Sequence, residues 1–216
     1  MDNIVGGVQS FYNENGAHFS KSRKSNWPVT EMYLEKLQAG QCILDVGCGN
    51  GRLVTGLPAG VAYTGFDFSK TLLAEATKQF PTQKFVYGDV LDDRIWQGLG
   101  TYDAIFCVAV LHHIPEYVQQ LYVLKEMKKH LKPGGFIYLS VWNLWQEKYL
   151  RYHLRQKNWA KVPYLDKERF CVAFDVQTLA DILTDAGWDT QELFYADYHG
   201  EKSDELHGKN LVAIAC

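Results

Sequence analysis

Ile43-Leu44-Asp45-Val46-Gly47-Cys48-Gly49-Asn50-Gly51-Arg52 joins a short apolar run to three alternate glycines. An apolar strand that ends this way lets the backbone turn sharply and approach a ligand at distances a Cβ would forbid. Two phosphate-binding patterns fail here on spacing. The dinucleotide fingerprint G-x-G-x-x-G needs a third glycine where this chain has Arg52. The P-loop needs Gly-Lys where the count from Gly47 reaches Arg52 and Leu53.

Two further carboxylates follow apolar segments, Asp67 after Tyr63-Thr64-Gly65-Phe66 and Asp89 after Phe85-Val86-Tyr87-Gly88. The steps from Asp45 to Asp67 and from Asp67 to Asp89 are each 22 residues, which suits one strand plus one crossover helix. In a doubly wound sheet of order 3-2-1-4-5 the three strands are neighbours with their carboxyl ends on one edge. At about 4.8 Å between strands, the carboxylates fan across roughly 10 Å, comparable with an adenosine. Three acids around a pocket oppose a pyrophosphate and tolerate a cationic ligand. Asp67 and Asp89 each also suit a helix N-cap.

The run Asp45-x-Gly-x-Gly-x-Gly resembles the first motif of class I S-adenosylmethionine (SAM) dependent methyltransferases. The resemblance implies SAM as cofactor, S-adenosylhomocysteine as product, and a cofactor site containing Asp45, Gly47, Cys48, Gly49 and Val108. It further implies that Asp67 accepts from the ribose hydroxyls and Asp89 from the adenine amino group, with Phe68 and Val90 flanking the adenine.

The rest of the chain alternates as an α/β fold requires. Leu72 to Phe80 reads as a helix closed by Pro81. Tyr102 to Leu111 reads as a fourth, buried strand leading to His112-His113. Tyr117, Leu121, Leu124, Met127 and Leu131 mark one face of a helix, stopped by Pro133-Gly134-Gly135. Phe136 to Val141 reads as a fifth strand, Asp175 caps a helix that Gly187 stops, and 191–195 and 211–215 bring the count to seven. The 216 residues, 47% hydrophobic, fit a single domain over 1–216. That domain is a doubly wound, seven-stranded Rossmann-like sheet with an N-terminal helical arm (1–38) and a helical lid insertion (142–174). The N-terminus lacks a signal-peptide pattern and the longest apolar run is too short to span a bilayer, so the expected setting is cytoplasmic without a membrane. Five cysteines with no C-x-x-C pair predict neither a disulfide framework nor a metal site.

Within the lid, residues 148–169 hold seven basic and two acidic side chains, whereas the whole chain is −3. Aromatic residues including Trp142, Trp145, Trp159 and Tyr164 are interleaved with them. Such a mixture suits a nucleic-acid surface; it equally suits a lid that packs its aromatics and solvates its lysines.

The arm reads Tyr12, then His18-Phe19-Ser20, Ser22-Arg23 and Trp27-Pro28. With Asp45 to Gly51, Ala109 to His113 and Ser140-Val141-Trp142, this string resembles the tRNA methyltransferases that esterify the carboxymethyl group of a modified wobble uridine. The resemblance implies tRNA as acceptor and a small activator subunit as partner; a small-molecule O- or N-acceptor is the alternative, and a non-catalytic SAM-binding subunit the third reading. Two segments depart from that branch: Arg169-Phe170-Cys171-Val172-Ala173-Phe174 stands for Arg-Tyr-Tyr-His-x-Phe, and Gly208-Lys209-Asn210-Leu211 for Arg-Asp-Asn-Trp. A carboxylate acceptor needs no general base at neutral pH. A hydroxyl acceptor does, and His112 or His113 is then the candidate, each equally able to serve as a structural histidine. Trp142 and Asn143 are placed to line the acceptor pocket, and Trp142 also fits the core. Arg23 is expected over the pocket, binding the methionine or the acceptor carboxylate, with Tyr12 closing the same side.

Overall fold

The computed structural model describes residues 2–22, 25–152, 158–164 and 167–216. Five parallel strands form its centre: β1 (Cys42–Val46), β2 (Ala62–Asp67), β3 (Lys84–Tyr87), β4 (Tyr102–Val108) and β5 (Leu131–Trp142). Beyond β5 the sheet continues with β10 (Asn210–Ala215), β8 (Thr190–Ala196) and the two-residue β9 (Lys202–Ser203), giving the order β3-β2-β1-β4-β5-β10-β8-β9. β10 runs antiparallel to both β5 and β8. The expected order of the first five strands holds. The eighth strand, β9, pairs at only two positions.

Strand alternation divides the apolar residues between two cores. Leu44, Val46, Ile105, Cys107, Leu139 and Val141 face α5 (Tyr117–Lys129) and α6 (Val176–Asp185), whereas Ile43, Phe106, Tyr138 and Val212 face α2 (Pro28–Leu34). Side chains i and i+2 of a strand share a face, so each central strand is apolar on both sides. A capping box joins Asp175 and Thr178 at the start of α6, as Asp175 predicts. Two boundaries differ from the pattern. β5 begins at Leu131, because Gly134 at φ +77° lets the chain bulge and resume pairing with β4.

The second difference is the insertion, which was expected to be helical. Its described part is a 3₁₀ turn (Glu147–Tyr152) followed by an antiparallel hairpin, β6 (Trp159–Tyr164) with β7 (Lys167–Val172). The physical reason is visible in the strands: Ala160 and Val162 on β6, and Arg169 and Cys171 on β7, are buried at period two. Arg155 and Lys157 lie outside the described residues.

The arm is α1 (Asp2–Ser22), and it docks on α3 (Lys70–Gln79) and on β7. Gln9 Nε2 donates to the Phe68 carbonyl at 3.1 Å, Thr71 Oγ1 to that of Asn13 at 2.9 Å, and Asn50 Nδ2 to Ser20 Oγ at 3.1 Å. Val8, Phe11, Tyr12 and Leu72 form its small core. Among the described residues no helix is long and apolar enough to cross a membrane.

Helix α1 meets α3 at Gly16, where an added Cβ would lie 2.9 Å from Thr71 Cγ2. Gly16→Leu is expected to cost about 1–3 kcal/mol by overpacking and to release the arm. Limited proteolysis should then cut within α1 first; an arm as resistant as in the parent protein would show that this contact does not hold it.

Candidate active site

A cleft of about 1030 Å³, including its open mouth, lies beyond the carboxyl ends of β1 to β4. This is the edge at which doubly wound sheets bind ligands. The glycine elbow forms its floor. Gly47 sits at φ +69°, and a Cβ there would meet Val110 Cγ2 at 2.3 Å, so both backbone and space require glycine. Ala109 is the one non-glycine residue of positive φ (62°) among the described residues, and it lines the same cleft. Such strain is concentrated at functional sites.

Of the residues singled out from sequence, Tyr12, Asp45, Gly47, Cys48, Gly49, Asp67, Phe68, Asp89, Val90, Val108, His113 and Trp142 all line the cleft. Arg23 lies outside the described residues. His112 and Asn143 are placed elsewhere. His112 is fully buried, and its Nδ1 accepts from the Trp142 backbone N–H at 3.4 Å, tying the turn after β4 to the end of β5. Asn143 Nδ2 donates to the carbonyls of Glu205 (2.6 Å) and Gly208 (2.9 Å), and its Oδ1 accepts from Trp145 N at 2.9 Å. That amide is committed to holding the 204–208 loop, which removes Asn143 from the acceptor pocket.

The acids differ in their bonding. Asp67 accepts from Gly49 N at 2.8 Å through Oδ2 and from Ser69 N at 2.7 Å through Oδ1. Burial outweighs these bonds and pushes its carboxyl up to about 6. Burial also pushes Asp45 up to about 7, against the opposing effects of the Tyr63 hydroxyl, which donates to it at 2.8 Å, and the Arg52 guanidinium. Among the described residues the Asp89 carboxylate accepts from Leu91 N alone, at 3.0 Å. Burial, followed by these acids, drives the Cys48 thiol well above its ordinary range, so Cys48 is a small neutral wall residue.

His113 occupies the opposite end. Its Nδ1 lies 2.9 Å from the Phe170 carbonyl, which can only accept, so the proton sits on Nδ1. Nε2 is then the acceptor for the Tyr12 hydroxyl at 3.0 Å. Cys171 Sγ lies 3.7 Å from Nδ1, and burial pushes its thiol up to about 12. His112, His113 and Cys171 bring ligand atoms within 4.8 Å of one another. A metal could enter only by displacing His113 from the Phe170 carbonyl or from Tyr12, and by ionising a thiol that burial keeps protonated.

Sequence reading missed Val8, Arg52 and Ala109 in the cleft wall and Arg169 behind it. The signal for Arg169 was present: alternation on β7 places it inward with Cys171. No motif singles out Val8, which reaches the cleft only because α1 folds back onto α3.

Residues 21–193 match the family model described as "Methyltransferase domain". A protein of Encephalitozoon cuniculi named as a methyltransferase, ECU09_1500, is 30% identical over 207 residues, 92% of each chain. The tRNA (carboxymethyluridine(34)-5-O)-methyltransferase of Arabidopsis thaliana is 33% identical over 140 residues, 65% of this chain and one third (33%) of that protein. Among solved structures, the Haloferax volcanii methyltransferase in complex with the Trm112 methyltransferase activator has the same fold. Its TM-score is 0.69, with 17% identity over 96% of both chains. The chain belongs to the class I SAM-dependent methyltransferases. It spans about a third of the Arabidopsis protein's length.

The donor set fits that cofactor: a glycine floor without side chains, buried carboxylates that favour a cation, and apolar Phe68 and Val90 beside Asp89. Asp45 and Asp67 hold their protons more tightly folded than their ordinary value of 3.8 allows unfolded. Their contribution to stability is therefore fully present at low pH and is lost as pH rises through about 6 to 7. A bound cation reverses the preference and draws off these protons. SAM affinity is expected to rise about tenfold between pH 5.5 and 8, with proton release at pH 6 measured by calorimetry in buffers of different ionisation enthalpy. A heat independent of buffer would remove both carboxyls from the cofactor's surroundings.

Proposed function

We propose that this methyltransferase esterifies the carboxymethyl group of a wobble uridine in tRNA. The observation that carries this reading is the place of the arm. The segment containing Tyr12, whose motif resembles the tRNA branch, forms the front wall of the cleft and bonds His113. The similarity to the Arabidopsis tRNA enzyme supports the same acceptor. The likeness to the Haloferax complex supports a small activator of the Trm112 kind as partner. The reading includes a cytoplasmic setting, where the five free thiols persist.

When bound, SAM supplies an electrophilic methyl carbon whose bond to sulfur breaks with the electron pair passing to sulfur. In this reading Asp67 binds the ribose hydroxyls and Asp89 the adenine amino group, between Phe68 and Val90, while Gly47 to Gly49 leave room for the methionine portion. Val8, Tyr12 and Trp142 keep water from the reacting end. An ionised carboxylate acceptor gives up no proton, so the chain's part is alignment of the reactants and exclusion of solvent.

A second reading, a hydroxyl or amine on a small molecule, draws on one observation: His113 has Nε2 facing the cleft through the Tyr12 hydroxyl. That pair can take a proton from an acceptor.

Labelled methyl from SAM, offered tRNA and a small-metabolite extract in parallel, tests the choice. Label in a uridine ester is expected, and label confined to a metabolite would overturn the tRNA reading. His113→Gln should leave transfer to a carboxylate nearly unchanged in its pH dependence; a hydroxyl acceptor would lose about 100-fold or more. Among the described residues Asp89 holds Leu91 N alone, so Asp89→Ala should weaken SAM binding about tenfold with little loss of stability. Unchanged affinity in a calorimetric titration would refute its role.

A further inference from the structure

Arg169 is 3% exposed, yet its guanidinium is surrounded by ring faces. Its Cζ lies 4.5 Å from the centroid of Trp142, 4.8 Å from Tyr164 and 5.1 Å from Phe11. Among the described residues Nε and Nη1 are buried without a hydrogen-bond partner. No carboxylate among the described residues forms a salt bridge with it, whereas the neighbouring Lys167 bonds Glu14. Cation–π contact stabilises a guanidinium on its faces but leaves its in-plane N–H donors unsatisfied. A buried charge without a counter-ion is costly, and a fold keeps one where a ligand completes it.

The group stands at the acceptor end. Trp142 lines the cleft, Phe11 precedes Tyr12, which also lines it, and the next residue, Phe170, holds His113 by its carbonyl. The cofactor end already has its charges in Asp45, Asp67 and Asp89. The geometry points to Arg169 as the residue that binds the acceptor's carboxylate, and this rests on the carboxylate-methylating reading above. A planar fork of N–H groups matches the two oxygens of a carboxylate. Held there, one oxygen keeps a lone pair for the new C–O bond, the C–S pair passes to sulfur, and no proton changes hands. The enclosure by three rings favours a carboxylate over a backbone phosphate, which remains in solvent.

Arg169→Met replaces a buried cation by an apolar side chain, a change proteins tolerate or gain from. Melting temperature and S-adenosylhomocysteine affinity should be kept. The probes are anticodon stem-loops carrying 5-carboxymethyluridine or its carbamoylmethyl amide, bound with S-adenosylhomocysteine present. The parent protein should prefer the carboxylate, and Arg169→Met should lose about 30-fold or more on it and nothing on the amide; Arg169→Lys should recover part. A preference kept in Arg169→Met overturns the assignment. Equal loss on both loops with a shallower salt dependence also overturns it, placing Arg169 on phosphate. If the parent protein binds neither loop, the tRNA reading falls, and ester formation on carboxylic acids of the metabolite extract reads Arg169 alone: loss in Arg169→Met sustains it, retention overturns it.

Discussion

The Asp67 carboxylate holds two turns at once. Through one oxygen it fixes the N–H of Gly49 in the elbow after β1, and through the other the N–H of Ser69 at the head of α3. Ser69 in turn caps that helix by accepting from Leu72 N. Two neighbouring strand ends are thereby locked in register where the ligand must lie, and α3 is oriented to receive the arm. The cost is a carboxylate deprived of water, visible in its raised pKa. Each of its oxygens spends one lone pair on backbone and has another for a ligand hydroxyl. The bond that builds the elbow thus leaves the same carboxylate able to accept from a sugar, the role proposed for it.

The front wall has another logic. The arm, the hairpin and the end of β5 meet around Arg169 and His113, through ring faces, the Phe11–Tyr164 contact and the Lys167–Glu14 pair. Few of these bonds belong to regular secondary structure. The sheet supports this wall at Trp142, while its shape comes from side chains of segments far apart in sequence.

That division explains what could be read from the sequence. The elbow, the spaced acids, the order of the first five strands and the α6 cap follow from local patterns, and twelve of the fifteen residues singled out for the site line one cleft, Asp45, Asp67 and Asp89 among them. The tertiary placements were less legible. Asn143 beside Trp142 looks like a pocket residue until the 204–208 loop folds over its amide. Two adjacent histidines look equivalent until a turn sends one to the β5 backbone and the other to the cleft. The hairpin was obscured by its charge: Lys161 and Arg169 read alike as basic surface, although one is exposed and the other buried.

The antiparallel β10 continues the sheet beyond β5, and among the described residues the cleft opens at the edge beyond β1 to β4. Changes accumulating there impair every reaction the protein can perform. The hairpin contributes no residue to the cleft's lining, so in the proposed function its changes alter which molecule is presented to the cofactor. Natural variation can therefore exchange acceptors one wall at a time, keeping the elbow as inherited capital.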